Sequence, residues 1–284
     1  MNKPVRSQQI KDASAKVALS IAASDSSSGA GIQADLAVFR DIGVYGVCAV
    51  TNVTAQNSSG VHKIFKIAPR VIAGQIDAVT RDYQIGACKI GMLYSPQAVG
   101  VVCERIDRRE IPNVVLDPVM CAKNGEILLT EPAVKRLKRW LMPKVTLVTP
   151  NAQEANRLTG IDVTDRDSAR DAAKAIVEMG AQSALVKGGH ISGEPVDVFY
   201  DGDGFEEYAG KRLPKTMHGT GCVLSAAIAA RLALGDSVKS AIEFAKRYVT
   251  VAIDQSIRIG KGNMDYYVGL GQNESGPHIL TTDD

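Results

Sequence analysis

Thr216-Met217-His218-Gly219-Thr220-Gly221-Cys222 stands directly before an Ala-rich run, Val223-Leu224-Ser225-Ala226-Ala227-Ile228. Glycines at a helix start let successive backbone N–H groups aim at one point, and the helix adds partial positive charge there. That suits a transferring phosphoryl group, whose transition state spreads negative charge over its equatorial oxygens. Thr220 adds a hydroxyl donor. Cys222 sits where a helix N-terminus lowers a thiol pKa, so it is a candidate to take a proton from a substrate hydroxyl. The same segment also reads as a tight loop into a buried helix, with Cys222 as a small core residue.

Three more clusters could do chemistry. In Thr149-Pro150-Asn151-Ala152-Gln153-Glu154, Asn151 and Glu154 lie one helical turn apart. An amide oxygen and a carboxylate suit a hard cation, and the same pair also suits a helix cap. In Leu185-Val186-Lys187-Gly188-Gly189-His190, a lysine before two glycines can approach a phosphate. Asp117, in Val115-Leu116-Asp117-Pro118-Val119, can face a cation or serve as a turn residue before proline. No G-x-x-x-x-G-K-[ST] occurs, so a P-loop is excluded. Gly29-Ala30-Gly31-Ile32-Gln33-Ala34 fits G-x-G-x-x-A. A dinucleotide site needs an acidic residue about 20 positions on, where Thr54-Ala55-Gln56-Asn57 stands instead.

The elements that must position these residues alternate. Short apolar runs at 17–22, 45–54, 87–90, 113–116, 147–149, 184–187 and 196–200 read as strands covered on both faces. Helical patterns fall at 32–41, 69–81, 96–108, 131–139, 153–158, 164–179, 221–233 and 236–256. Thr164 is placed to cap the sixth of these, with Gly180 ending it. Strand–helix alternation implies an α/β fold with a parallel sheet between helical layers, and ligands then bind beyond the strands' carboxyl ends. The polar clusters after the strands should gather on that edge. One domain is expected over 16–271, with tails at 1–15 and 272–284.

The bulk numbers exclude several classes. In 284 residues, 45% are hydrophobic and 23% charged, enough for a large core without metal or disulfide staples. A net charge of +2 gives no footprint for nucleic acid. Five cysteines without C-x-x-C spacing read as reduced thiols, and no leader or membrane-spanning run is visible, so a cytoplasmic protein is expected.

Taken in order, the motifs resemble the ribokinase-like superfamily. The chain is most similar there to the hydroxymethylpyrimidine and phosphomethylpyrimidine kinases. The resemblance runs from Val17 to Gly262. It rests on Ala30-Gly31-Ile32-Gln33-Ala34-Asp35, Thr54-Ala55-Gln56-Asn57, Lys89-Ile90-Gly91-Met92-Leu93, Val115-Leu116-Asp117-Pro118-Val119-Met120, Thr149-Pro150-Asn151 with Glu154, Lys187-Gly188-Gly189-His190 and His218-Gly219-Thr220-Gly221-Cys222. It implies a three-layer α/β/α kinase with a mostly parallel sheet, using ATP and Mg²⁺, and a homodimer. Gly219, Thr220 and Gly221 would form the anion hole, with Cys222 at the acceptor hydroxyl. Lys187, Asp117 and Thr220 would meet ATP, and Asp117, Glu154 and Asn151 would hold Mg²⁺. Gln56 would read the pyrimidine edge as donor and acceptor together, and Ala23, Ala30, Asp35 and Met92 would line the pocket. Such enzymes phosphorylate the hydroxymethyl group and then the monophosphate.

One loop departs from the family's Gly-Thr-Asp-Pro-Ser-Gly-Gly pattern. It reads Ala23-Ser24-Asp25-Ser26-Ser27-Ser28-Gly29, with Ala23 and Ser28 where glycines are usual and Ser26 where proline is usual. This change keeps a pyridoxal or pyridoxine kinase open as an alternative. A non-catalytic vitamin-binding protein on the same fold is a third reading.

Overall fold

The computed structural model describes residues 15–122, 124–189 and 195–269. Most of the expected N-terminal tail, the whole C-terminal tail and His190 lie outside the described residues. The elements follow in chain order: β1 Val17–Asp25, α1 Gly31–Asp41, β2 Tyr45–Asn57, β3 Gly60–Lys66, α2 Pro69–Asp82, β4 Ile85–Ile90, α3 Pro96–Arg108 and β5 Val114–Leu116. Then come α4 Glu131–Arg136, β6 Leu147–Val148, α5 Ala152–Thr159, α6 Arg166–Glu178, β7 Ala184–Val186, β8 Val196–Tyr200 and β9 Phe205–Ala209. Helices α7 Thr220–Leu234 and α8 Val238–Asp254 and the small pair β10 Ile257–Arg258 and β11 Asp265–Tyr266 close the described chain.

Nine strands form one sheet in the order β3-β2-β1-β4-β5-β6-β7-β8-β9. The six from β2 to β7 run parallel, and β3, β8 and β9 add antiparallel edges. Two cores cover its faces. One gathers Ile72, Ile76, Val99, Leu141, Leu158 and Ile176 from the α2-to-α6 side. The other gathers Phe39, Val223, Ile228, Ile242 and Tyr248 from α1, α7 and α8. Helix α7 packs on β4, β1 and β5, and ten of its fifteen residues are buried, as its nearly uniform apolar sequence requires. The three-layer expectation is met.

The edges differ from the reading of the sequence. β2 extends to Asn57 and turns into β3, which was not expected. Its Lys63 and Lys66 and its mostly solvated pattern hide it among polar residues. β9 was missed for the same reason, since Phe205-Glu206-Glu207-Tyr208-Ala209 buries no residue fully. Asp165, not Thr164, caps α6, accepting from the Ser168 N–H. The helix expected at 131–139 changes to a π-helical turn at Leu137–Leu141, which keeps Leu137 and Leu141 both in the core. All five cysteines are free. Among the described residues, no helix is long and apolar enough to cross a membrane.

Candidate active site

The strand ends deliver the clusters to one edge. Asp25 ends β1, Gln56 and Asn57 end β2, Gly91 and Met92 follow β4, Asp117 follows β5, Asn151 follows β6 and Lys187 follows β7. Across from them, Met217 bridges Asp265 of β11, and the His218 N–H donates to the Asp265 carbonyl at 2.8 Å. This pairing fixes the turn that starts α7. Gly219 caps the helix with φ 73°. A Cβ there would lie 2.0 Å from the Gly29 carbonyl oxygen, so only glycine fits between the two loops.

The turn faces a buried charge cluster. Lys187 Nζ lies 3.2 Å from Asp117 Oδ1, and the Ser225 hydroxyl lies 3.4 Å from Asp117 Oδ2. A Cβ built on Gly221 would lie 3.3 Å from Lys187 Nζ and 3.5 Å from Asp117 Oδ2. The bare backbone of the turn thus borders this ion pair directly. Burial works to lower the Lys187 pKa, but Asp117 and Glu154 outweigh it and hold the ammonium protonated. Burial, with Asp117 beside it, pushes Glu154 up to about 7 against the pull of Lys187.

Several expected residues have other employment. Asn151 was expected at a cation, but its side-chain oxygen accepts from the Glu154 N–H at 2.9 Å, while Glu154 Oε2 accepts from the Asn151 N–H at 2.9 Å. This reciprocal capping box occupies the amide oxygen and one carboxylate oxygen. Thr220 was expected to offer its hydroxyl proton to phosphate; that hydroxyl donates to the Met217 carbonyl at 2.9 Å. Asp35 was expected to line the substrate pocket. It is fully buried instead, bound by Lys89 Nζ at 2.9 Å and by the Ser20 hydroxyl at 2.6 Å. Cys222 was expected to have a lowered pKa. Burial pushes it up to about 11, with Asp117 and Asp35 adding to the rise and Lys89 and the Gly31 N–H opposing it. Desolvation outweighs the helix end.

Ala23 and Met92 do share a small apolar cluster with Val61 and Leu128. Ala30 caps α1, and its N–H donates to Asp25 Oδ2 at 2.9 Å. Gln56 is held by side chains from two loops. Its Nε2 lies 3.2 Å from Asp25 Oδ2 and 2.9 Å from His218 Nε2. His218 and Asp25 stood in the quoted motifs without roles of their own, and Ser225 and Lys89 were not singled out; all four lie against these groups. Lys89 carried a signal of its own, a lysine inside an apolar strand and two residues before Gly91. Burial opposes its charge, but Asp35, Cys222 and Asp117 more than restore it, so an ammonium stands behind the α7 turn.

Among the described residues, no three His, Cys, Asp or Glu side chains converge as a metal cluster. Magnesium carried with a nucleotide needs only one or two carboxylates. Asp117 and Glu154 fit that demand, since both are buried and repel one another while sharing Lys187.

A mostly parallel sheet with a glycine turn at a helix start beside a Lys–Asp pair is the arrangement of a small-molecule kinase of the ribokinase-like class. Comparison narrows it. The family described as phosphomethylpyrimidine kinase matches residues 25–266. The hydroxymethylpyrimidine/phosphomethylpyrimidine kinase of Bacillus subtilis is 41% identical over 249 residues, 87% of this chain and 92% of that protein. The thiamine biosynthesis bifunctional protein ThiED of Geobacter sulfurreducens is 43% identical over 86% of this chain, which spans 50% of that longer protein. Among solved structures, phosphomethylpyrimidine kinase from Clostridium difficile is 39% identical, with a TM-score of 0.76 over 84% of this chain and 99% of that one. An ADP complex of Bacillus subtilis pyridoxal kinase is 37% identical, with a TM-score of 0.82 over 90% of this chain and 99% of that one. The chain belongs to the phosphomethylpyrimidine kinase family.

Proposed function

We propose that this chain transfers the γ-phosphoryl group of ATP to 4-amino-5-hydroxymethyl-2-methylpyrimidine and then to the resulting monophosphate, within thiamine diphosphate biosynthesis. The observation that carries the reading is the bare Gly221 backbone bordering Lys187 and Asp117. Lys187 meets the nucleotide's phosphates. The N–H groups from Gly219 to Cys222 cradle the transferring group from the opposite side. Charge spread over its oxygens thereby meets donors already fixed in place. Asp117 and Glu154 would hold Mg²⁺ with the nucleotide, and the ion supplies charge neutralisation there.

The Cys222 thiol stands at the acceptor hydroxyl. With its pKa at about 11, about one thiol in ten thousand is ionised at pH 7, so it serves poorly as a standing base. A loose transition state asks little of a base and much of positioning. Cys222→Ala therefore lowers kcat less than loss of the anion hole does.

Pyridoxal is the second reading, favoured by the likeness to Bacillus subtilis pyridoxal kinase. Release of ADP, measured in parallel with the pyrimidine and with pyridoxal, tests the choice. A higher kcat/KM for the pyrimidine is expected. A higher value for pyridoxal overturns it, and no ATP consumption with either returns the third reading, a vitamin-binding protein. A homodimer and a cytoplasmic location belong to the same proposal.

A further inference from the structure

A lysine side chain is long and freely rotating, so Lys187 aims only as well as the main chain beneath it is held. The Lys187 N–H donates to the Pro150 carbonyl at 2.8 Å, and Lys187 forms a last bridge to Asn151. Strand β7 ends one residue earlier, at Val186. The next N–H, that of Gly188, therefore lies beyond the strand ladder, in a buried residue. A buried N–H needs an acceptor, and here a side chain provides it. Asp197 of β8, itself 4% exposed, accepts from the Gly188 N–H on Oδ1 at 2.9 Å.

The other oxygen of Asp197 has a different partner. Oδ2 accepts from Lys246 Nζ of α8 at 2.8 Å. One carboxylate oxygen thus serves the loop and one serves the helix. A tie between α8 and the sheet requires only the second bond. The Lys187 head group pairs with Asp117, so Asp197 acts on the loop through its main chain.

The space around the loop is closed. A Cβ on Gly188 would lie 2.0 Å from the Val196 carbonyl oxygen, so the main chain lies flush on β8 and admits no side chain. The Gly210 N–H donates to the Pro195 carbonyl at 2.8 Å, and a Cβ on Gly210 would lie 3.2 Å from Lys246 Nζ. The ammonium is confined between Gly210 and Asp197, which holds the carboxylate in one orientation.

We propose that Asp197 is a positioning residue of the nucleotide site: held by Lys246, it fixes the Gly188 main chain and thereby the direction of Lys187. This rests on the reading of Lys187 as the residue that meets the nucleotide's phosphates. A misplacement of about 1 Å in a catalytic constellation lowers turnover by about 10². Loss of a hydrogen bond to a charged group weakens what it supports by about tenfold or more.

Two double variants of the whole chain separate the loop bond from the ion pair. Asp197→Asn with Lys246→Met keeps an oxygen for the Gly188 N–H, and Asp197→Leu with Lys246→Met removes it. Both lack the ion pair and the ammonium, so every other contact of Lys246 is lost alike. Removing both partners of a buried ion pair is far milder than removing one, and thermal melting checks that both variants fold. Calorimetry then measures binding of the magnesium complex of the β,γ-methylene analogue of ATP and, separately, of 4-amino-5-hydroxymethyl-2-methylpyrimidine. The asparagine variant is expected to bind the nucleotide analogue within about threefold of the wild type, and the leucine variant at least about tenfold more weakly, with pyrimidine affinity the same in both. Asp197→Glu keeps both charges and moves the acceptor by one methylene, and it decides the matter if the leucine variant does not fold: weaker nucleotide binding at unchanged pyrimidine affinity is expected. Equal nucleotide affinity in the two double variants, an unchanged one in Asp197→Glu, or a parallel loss for nucleotide and pyrimidine overturns the positioning role and leaves Asp197–Lys246 as a tie between α8 and the sheet. Failure of the underlying reading shows differently. A wild type that binds no nucleotide, or a Lys187→Met variant that binds it as tightly as the wild type, removes the assignment of Lys187 and the proposal with it.

Discussion

Replacing Gly221 by alanine separates the anion hole from the fold that carries it. Gly221 is the second residue of α7, and its backbone is not in the left-handed region. Alanine in a helix is worth about 0.5–1 kcal/mol over glycine. The added methyl meets Lys187 Nζ at 3.3 Å and Asp117 Oδ2 at 3.5 Å, and both are side-chain ends that can give slightly. The net effect on stability is therefore about 0 to 1 kcal/mol in favour of the variant, a rise in melting temperature of at most about 4 °C. Activity behaves oppositely. The methyl stands between the turn's N–H groups and the Lys187–Asp117 pair, where the phosphoryl group must pass. Losing one such donor interaction lowers kcat by about 10²–10³, or about 2.7–4 kcal/mol. Thermal melting followed by steady-state ADP release measures both. A variant that melts like the wild type and keeps kcat within about threefold refutes the assignment of this turn as the anion hole.

Three further outcomes are expected. Lys89→Met leaves Asp35 buried without its counter-ion and lowers stability by about 3–5 kcal/mol, while adding Asp35→Leu recovers most of that loss; denaturant titration of both variants measures it. Glu154 has its folded pKa at about 7 against an ordinary 4.5, so its contribution to stability is fully present below pH 4.5 and fades as pH rises through 7. Glu154→Gln then raises the denaturation midpoint at pH 8 in magnesium-free buffer and leaves it nearly unchanged at pH 5; a gain equal at both pH values refutes the assignment. Ser28 holds φ 60°, a left-handed position that costs a side chain about 1–2 kcal/mol, so Ser28→Gly melts at or above the wild type, whereas Gly219→Ala, which meets the Gly29 carbonyl at 2.0 Å, melts well below it.

The central sheet was legible because buried parallel strands are apolar at almost every position, as in Leu147–Val148 and Ala184–Val186. The edge strands β3 and β9 were not, since solvated antiparallel edges carry Lys and Glu and lose that signature. At the site, the Gly219–Cys222 turn and Lys187 could be picked out from residue type and place. The employment of the polar groups could not. Whether Asn151 caps a helix or meets a cation depends on a bond to Glu154, and both uses call for the same residues. Whether the Cys222 thiol rises or falls depends on burial against the helix end, and burial is a property of the packed molecule. The same limit hid the Asp25–Gln56–His218 contact, whose members come from the ends of β1 and β2 and from the turn before α7.

Phosphoryl transfer to a hydroxymethylpyrimidine is read from its products by mass spectrometry. The chain is incubated with Mg·ATP and an equimolar mixture of 4-amino-5-hydroxymethyl-2-methylpyrimidine and pyridoxal. The pyrimidine monophosphate is expected first and the diphosphate after it, with little pyridoxal phosphate. Pyridoxal phosphate as the sole product, or no phosphorylated product at all, contradicts it.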